Sequence, residues 1–279
     1  MNDSDCVDFL HWALPGMRLY WPGFRKVRGQ VCKRIDRRCR ALGLTGAASY
    51  RQYLQVNPAE WDVLRSLCSI PISRFYRDRA VFGFLERSVL PALAAAADSR
   101  PDRTLSCWSA GCASGEEPYT LSILWRLRLV QRYPELAFRM LATDTDRVLL
   151  QRAAAACYGL SSLEELPEEW LAKAFEQRGD EYCVCEAFRA PVELKWQDMR
   201  EAVPEERFDL VACRNVVLTY FEPGLQAEVL RRLVGTLRPG GALVVGVHEA
   251  LPEGTEGLVP WAGARAVFRK AAGEQGTGG

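Results

Sequence analysis

The chain has 279 residues, 36 Lys and Arg against 35 Asp and Glu, a formal net charge of +1, and 48% hydrophobic residues. That length holds one large domain or a small domain beside a medium one, and the composition is ordinary for a globular protein with a sizeable core. No uninterrupted apolar run approaches the roughly 18 residues of a membrane helix, and the opening MNDSDCVDFLHW lacks the basic start and apolar stretch of a secretory signal; a cytoplasmic monomer without membrane insertion is the expectation.

Residues 1–75 read as a small helical domain. From Arg25 to Arg40 eight basic residues stand against one acid, Asp36, while Val27, Val31, Ile35 and Cys39 recur at helical spacing. This predicts an amphipathic helix with a basic outer face, stopped by Gly43. Such a face is either simply solvated or an electrostatic docking surface for an acidic partner; nucleic acid is not expected, because no nucleic-acid-binding fold accompanies it. Helices follow at Ala47–Leu54 and Pro58–Cys68, with Asn57 as the N-cap of the second. A further helix, Arg79 to Ala97, makes 76–100 a linker that leads to the turn-rich ADSRPDRT.

Beyond it, at 101–270, strands and helices alternate as in a parallel sheet with helical crossovers, the doubly wound α/β class. Strands are predicted at 105–108, 138–142, 192–196, 208–213 and 242–247, and helices at 117–130, 146–157 and 223–236. Segment 158–191 interrupts this as a small insertion on the sheet, with an acidic helix Leu166–Gln177 and a hairpin of Tyr182–Cys185 with Phe188–Pro191; the tail EQGTGG is expected to fray. The ten cysteines show no paired C-x-x-C elements and read as buried free thiols, neither zinc ligands nor a disulfide framework. His248, after an apolar strand, reads as structural.

Function is written most plainly in LSCWSAGCASGEEPYTLSILW, Leu105 to Trp125. It reads as a strand, a loop of small residues with Gly111 and Gly115 where the chain turns, and a helix with Pro118 in its first turn. A strand, glycine loop and helix grip nucleotide or nucleoside cofactors. A phosphate cradle leaves its helix N-terminus free of acids; here Glu116 and Glu117 occupy it, and no P-loop Lys-Ser or Lys-Thr follows. The loop therefore suits a ligand with positive charge and hydroxyl donors, such as S-adenosylmethionine. Asp144, after the apolar Met140–Ala142, stands where an acid accepts ribose hydroxyls.

The segments SRFYRD (73–78), WSAGCASGEEPYTL (108–121), ATDTD (142–146), FDLVACRN (208–215), YFEP (220–223) and LRPGGALVVGVHE (237–249) together resemble the CheR family. These are S-adenosylmethionine-dependent methyltransferases that esterify glutamates on bacterial chemotaxis receptors. The resemblance runs from Trp21 to Glu249 in the family's order. It implies a helical N-terminal domain whose basic helix faces an acidic helical receptor substrate, and a doubly wound methyltransferase domain whose small β-subdomain, here within 158–191, tethers receptor tails in some members. It implies that Arg77 lies beside the methyl donor where two domains meet, that Ser73 replaces a cofactor-contacting threonine, and that Glu117 and Asp144 hold the methionine and ribose portions. Asp198 and Met199 would replace an Asn-Leu pair beside adenine, Arg214 and Asn215 would line the cofactor, and Tyr220 would be the tyrosine near the reacting centre.

Departures from the family pattern bear on the acceptor. Pro71 stands where Asn is usual, Asp198 adds a negative charge, and NVVLTYF is one residue longer than the usual NVLIYF, so that Thr219 or Tyr220 can match the active-site tyrosine. Tyr220 retains the phenol and aligns YFEP. A glutamate acceptor, with a reference pKa of about 4.3, is ionised near neutrality and needs no general base, so Arg77 and Tyr220 are expected to position the reactants. A small-molecule acid or other nucleophile of a biosynthetic pathway is the alternative acceptor, and a non-catalytic cofactor-sensing module is the third reading.

Overall fold

The computed structural model describes residues 2–70 and 73–271, so Pro71 and the EQGTGG tail lie outside the described residues. The chain forms two compact units, one from the N-terminal segment together with Val216–Gln226, the other from Ser73–Asn215 and the chain after Ala227.

The smaller unit is helical. Helix Asp3–Gly16 is capped by the Asn2 side chain, which accepts from the Asp5 amide at 2.8 Å, and it buries Cys6, Phe9, Leu10, Ala13 and Leu14. The basic segment forms helix Arg28–Ala41, burying Val31, Ile35 and Cys39 and ending before Gly43, whose φ of 70° suits glycine. Helices Ala47–Val56 and Glu60–Cys68 complete the set. Asn57 is not the N-cap expected of it: it terminates the preceding helix, and its side-chain amide donates to the Tyr53 carbonyl at 2.9 Å. An amide side chain serves either end of a helix, and here the preceding carbonyl is the nearer partner.

In the same unit, Val216–Gln226 contributes the short helix Val217–Tyr220 and a bridge between Phe221 and Leu19. The Tyr20 amide donates to the Tyr220 carbonyl at 2.8 Å, and the Tyr220 ring lies against Phe24 with centroids 5.1 Å apart. A Cβ at Gly23 would sit 2.1 Å from the Thr219 carbonyl oxygen, so only glycine permits this approach.

The larger unit is built on ten strands: β1 Thr104–Ala110, β2 Ala137–Asp144, β3 Cys157–Gly159, β4 Phe175–Arg178, β5 Glu181–Val184, β6 Val192–Trp196, β7 Phe208–Ala212, β8 Leu237–Val244, β9 Leu258–Pro260 and β10 Val267–Lys270. Seven form one sheet in the order β6-β2-β1-β7-β8-β10-β9, parallel from β6 to β8, with β10 and β9 antiparallel at the edge. β1 and β7 are almost wholly buried, and their side chains are apolar or small and nearly free of charge. Asp209 on β7 is the exception, satisfied by the Arg100 guanidinium at 2.7 and 2.9 Å and by the Ser106 amide at 2.9 Å. Chain order reverses between β1 and β7, so the sheet has its topological switch point there, and ligands of such sheets bind at the carboxyl ends of those strands.

Helices Glu116–Leu124, Arg147–Ala155 and Pro223–Thr236 occupy the predicted crossovers. Arg79–Phe84 runs through a π-helical turn, Leu85–Val89, into Leu90–Asp98. By length and composition Arg79–Asp98 could cross a membrane, which the interrupted apolar run did not suggest; half of its apolar window is buried in the protein, Val81, Phe82, Leu85, Val89 and Leu93 among its core residues.

The insertion differs in register from the expected hairpin. Its acidic helix is confined to Glu168–Ala174, the chain turns extended at Phe175, and β4 pairs with β5, while Glu186–Arg189 is a helical turn. β3 completes a three-stranded sheet, β3-β5-β4. The thiol reading needs correction too: Cys6–Cys32 and Cys157–Cys183 are disulfides. Cys157 and Cys183 are direct cross-strand partners, and the Cα atoms of Cys6 and Cys32 stand 5.9 Å apart, within bridging reach. Cys39, Cys68, Cys107, Cys112 and Cys213 are buried outside any disulfide, and Cys185, also outside one, is half-buried.

One buried acid in the helical unit yields a test. Glu60 accepts from Arg38 Nε at 2.9 Å and Nη2 at 2.8 Å and from the Tyr50 hydroxyl at 2.8 Å. Those bonds from Arg38 hold its carboxyl below the usual range, against the opposing effect of burial. A lowered folded pKa stabilises above the unfolded value of about 4.3 and is lost as pH falls through the folded value. Glu60→Gln should therefore cost about 2 kcal/mol at neutral pH, with the gap to wild type closing below about pH 4, as measured by urea unfolding across pH. A gap independent of pH would refute the ionic origin.

Candidate functional site

The loops after β1, β2, β6 and β7 converge at one edge of the sheet. β1 passes into Gly111–Gly115, where Gly111 and Cys112 donate their amides to the Thr143 carbonyl at 2.8 and 2.9 Å. Gly111 and Gly115 have φ of 84° and 95°. A Cβ at Gly115 would meet Ala153, the Tyr119 ring and the Tyr158 hydroxyl, each at 3.0 Å, so close packing reinforces the backbone requirement.

Asp144 closes β2. Its Oδ2 accepts from the Ala113 amide and its Oδ1 from the Asp146 amide, both at 2.9 Å. Burial raises its pKa against the lowering effect of these amides. Asp144 is also the register partner of Trp196 on β6, and the chain then delivers Asp198 and Met199, both buried, to the same edge. The charge of Asp198 is met locally, since the Arg200 amide donates at 2.9 Å and its guanidinium closes on the carboxylate. That pair meets, within two residues, the negative charge that Asp198 adds in place of Asn.

Glu117 lies one residue inside the helix after the loop. Its Oε1 accepts from Ser109 Oγ at 2.7 Å and its Oε2 from Arg214 Nη1 at 3.1 Å. Arg214, just beyond β7, is 6% exposed and also donates Nη2 to Asp78 Oδ2 at 2.6 Å and to the Arg77 carbonyl at 3.0 Å. Its guanidinium carbon lies 5.3 Å from the Phe82 ring centroid. Its Nε is buried without a hydrogen-bond partner among the described residues. Asn215, with φ 57°, donates its amide to Glu249 Oε2 at 2.9 Å, and the same oxygen accepts from the Gly246 amide at 2.6 Å.

The segment carrying Ser73 and Arg77 is thus tied to the sheet edge through Arg214. It is held elsewhere by the Phe75 amide on the Ser162 carbonyl at 2.9 Å and by the Tyr76 amide on Thr120 Oγ1 at 3.1 Å. Ser73, Arg77, Gly111, Glu117, Asp144, Asp198, Met199, Arg214 and Asn215 all belong to the larger unit, whereas Tyr220 and Thr219 belong to the helical one. His248 is exposed.

Sequence reading passed over Asp78, Ser109 and Glu249. All three lie within or beside the quoted motifs, but nothing in a linear motif shows that Asp78 and Glu117 share one arginine. Glu116, also buried, accepts from Ser114 Oγ at 2.9 Å, while Tyr158 of β3 donates to the Ser114 carbonyl at 2.6 Å. No cluster of three or more His, Cys, Asp or Glu among the described residues is arranged to hold a metal ion.

Comparison with known proteins matches this edge to a defined family. Residues 72–266 match the CheR methyltransferase, SAM binding domain. Chemotaxis protein methyltransferases of Listeria innocua and Listeria monocytogenes are 35% identical over 190 residues and 34% over 200, covering 68% and 72% of this chain and 69% and 73% of theirs. An uncharacterized 104.1 kDa protein of Rhodobacter capsulatus is 34% identical over 225 residues, 80% of this chain, which spans only 23% of that protein's length.

The fit to the cofactor rests on the donor set itself: two acids and a glycine cradle line the edge, with no lysine at the helix N-terminus, an arrangement suited to a sulfonium nucleoside and not to a phosphate. The chain belongs to the CheR family and is an S-adenosylmethionine-dependent methyltransferase.

Proposed function

We propose that this enzyme esterifies glutamate side chains on an acidic helical protein of the chemoreceptor kind. The observation that carries the reading is the pair of acids, Glu117 and Asp144, fixed at the switch point of a chain whose relatives include chemotaxis protein methyltransferases. S-adenosylmethionine, when bound, supplies a methyl group made electrophilic by its sulfonium.

The chain's own residues would bind and orient. Asp144, with each oxygen already accepting one amide, retains lone pairs for the two ribose hydroxyls. Glu117, anchored by Ser109 and Arg214, would accept from the methionine ammonium. Gly111 lets the loop backbone approach the ligand, while Asp198, Met199 and Asn215 would bound the adenine side, and Ser73 the methyl side. Arg77 would align the acceptor carboxylate or the cofactor's by paired hydrogen bonds. No base is required, since a glutamate is ionised above about pH 4.3.

The exposed face of helix Arg28–Ala41 supports an acidic partner. Lys33 and Arg37 are exposed and make no ion pair among the described residues, whereas Arg38 and Arg40 are spent on Glu60 and Asp36. Unsatisfied cations on one face attract an acidic surface at a rate and affinity that salt suppresses.

Three results are expected. Incubated with methyl-labelled cofactor and a purified chemoreceptor cytoplasmic fragment, the enzyme should transfer label that mild base releases as methanol; base-stable label would overturn the ester assignment. Asp144→Asn should weaken cofactor binding about tenfold or more by calorimetry. In the wild type, binding should weaken as pH falls through the raised Asp144 pKa, because only the carboxylate accepts both hydroxyls, and this step should vanish in the Asn variant. Finally, Lys33→Glu with Arg37→Glu should raise KM for the receptor fragment about tenfold and flatten its salt dependence while cofactor affinity is unchanged; an unchanged KM would exclude the basic face from docking.

A further inference from the structure

Arg77 sits between two residues in a conformation that side chains avoid. Tyr76 has φ 57° and Asp78 has φ 64°. Left-handed backbone costs a non-glycine residue roughly 1 kcal/mol or more and persists only where surrounding bonds over-determine it. Those bonds are identifiable. The Tyr76 amide is held by Thr120 Oγ1, which itself donates to the Glu116 carbonyl at 2.6 Å, and the Tyr76 ring is packed between Phe82 and Trp170. On the other side of Arg77, one Arg214 nitrogen binds both the Arg77 carbonyl and the Asp78 carboxylate.

Asp78 also forgoes its ordinary use. It stands at the N-cap of Arg79–Phe84, where aspartate is among the best capping residues, but its side chain makes no capping bond. The carboxylate is turned to Arg214 instead. We propose that Asp78 is a positioning residue: through Arg214 it fixes the kink that presents Arg77, and it shares that cation with Glu117. The inference rests on the role given to Arg77 above.

The test uses the full chain with Asp78→Asn, Asp78→Gly, Arg77→Ala and the Asp78→Asn/Arg77→Ala double variant. Glycine accepts the left-handed backbone without cost, so Asp78→Gly separates loss of the carboxylate from relief of strain. Hydrogen exchange at the amides of 76–79 should quicken at least about tenfold in both Asp78 variants, beyond the general loss of stability that removing one partner of the buried Arg214 charge brings and that exchange at the β1 and β7 amides reports. Affinity for S-adenosylhomocysteine, measured by calorimetry, should fall about fivefold in each, and the double variant should bind no more weakly than Arg77→Ala alone. Wild-type exchange and affinity in both Asp78 variants, or additive losses in the double variant, would overturn the inference while Arg77→Ala still shows its defect. An Arg77→Ala protein with wild-type affinity and methyl transfer would overturn the role of Arg77 and, with it, the purpose assigned to Asp78.

Discussion

The carboxyl edge of the sheet depends on one buried cation. Arg214 is nearly sequestered from solvent, and a guanidinium in that position is tolerable only when its charge and donors are met. Asp78 and Glu117 each supply a carboxylate, the Arg77 carbonyl a further acceptor, and the Phe82 face a polarisable surface. The cation joins three separate stretches of chain: the segment preceding the sheet, the helix after β1, and the end of β7. Without it, two acids would face one another across the switch point of the sheet.

The acids bonded at this edge agree with a ligand that carries positive charge. Arg214 with Asp78 and Glu117 leaves one negative charge, Asp198 is balanced by Arg200, and Asp144 adds a second. An anionic ligand would meet repulsion there, while a sulfonium and an ammonium meet acids already fixed in place. On the proposed reading, the sheet topology would determine where such a ligand lies, and the side chains its charge. The glycine loop alone settles neither, since the same strand–loop–helix serves phosphates elsewhere when its acids are absent.

The central strands were legible because parallel strands buried on both faces carry apolar and small side chains almost without charge, as in β1 and, Asp209 apart, β7. The edge was not. β9 and β10 are short and carry Arg269 and Lys270, so they lack both length and alternation. In the insertion, Trp170 and Ala174 keep helical spacing, but Phe175 turns extended to pair with Val184, a long-range preference that no local pattern contains. The disulfides were illegible for the same reason, since Cys157 meets Cys183 only through the register of β3 against β5. At the carboxyl edge the motif residues could be named, but several of the residues that hold the loops act on backbone atoms. Glu249 accepts two amides, Tyr158 donates to a carbonyl, and such partners leave no signature in side-chain type.

Backbone conformation supplies the last step. Among the described non-glycine residues, seven have positive φ, and Tyr76, Asp78, Ala113 and Asn215 are four of them. Each belongs to a segment that reaches the donor edge, and each is bound by a named partner: Thr120, Arg214, Asp144 and Glu249. Strain of this kind costs of order 1–3 kcal/mol per residue, comparable to what one charge-assisted hydrogen bond returns. The acids at this edge therefore have two uses that cannot be separated. Asp144 holds Ala113 in its left-handed turn with the same carboxylate that would receive the ribose, so a variant that weakens donor binding also relaxes the loop that shapes the site. Pre-organisation and recognition are carried by the same oxygens, and the loop's geometry before the donor arrives is part of its affinity.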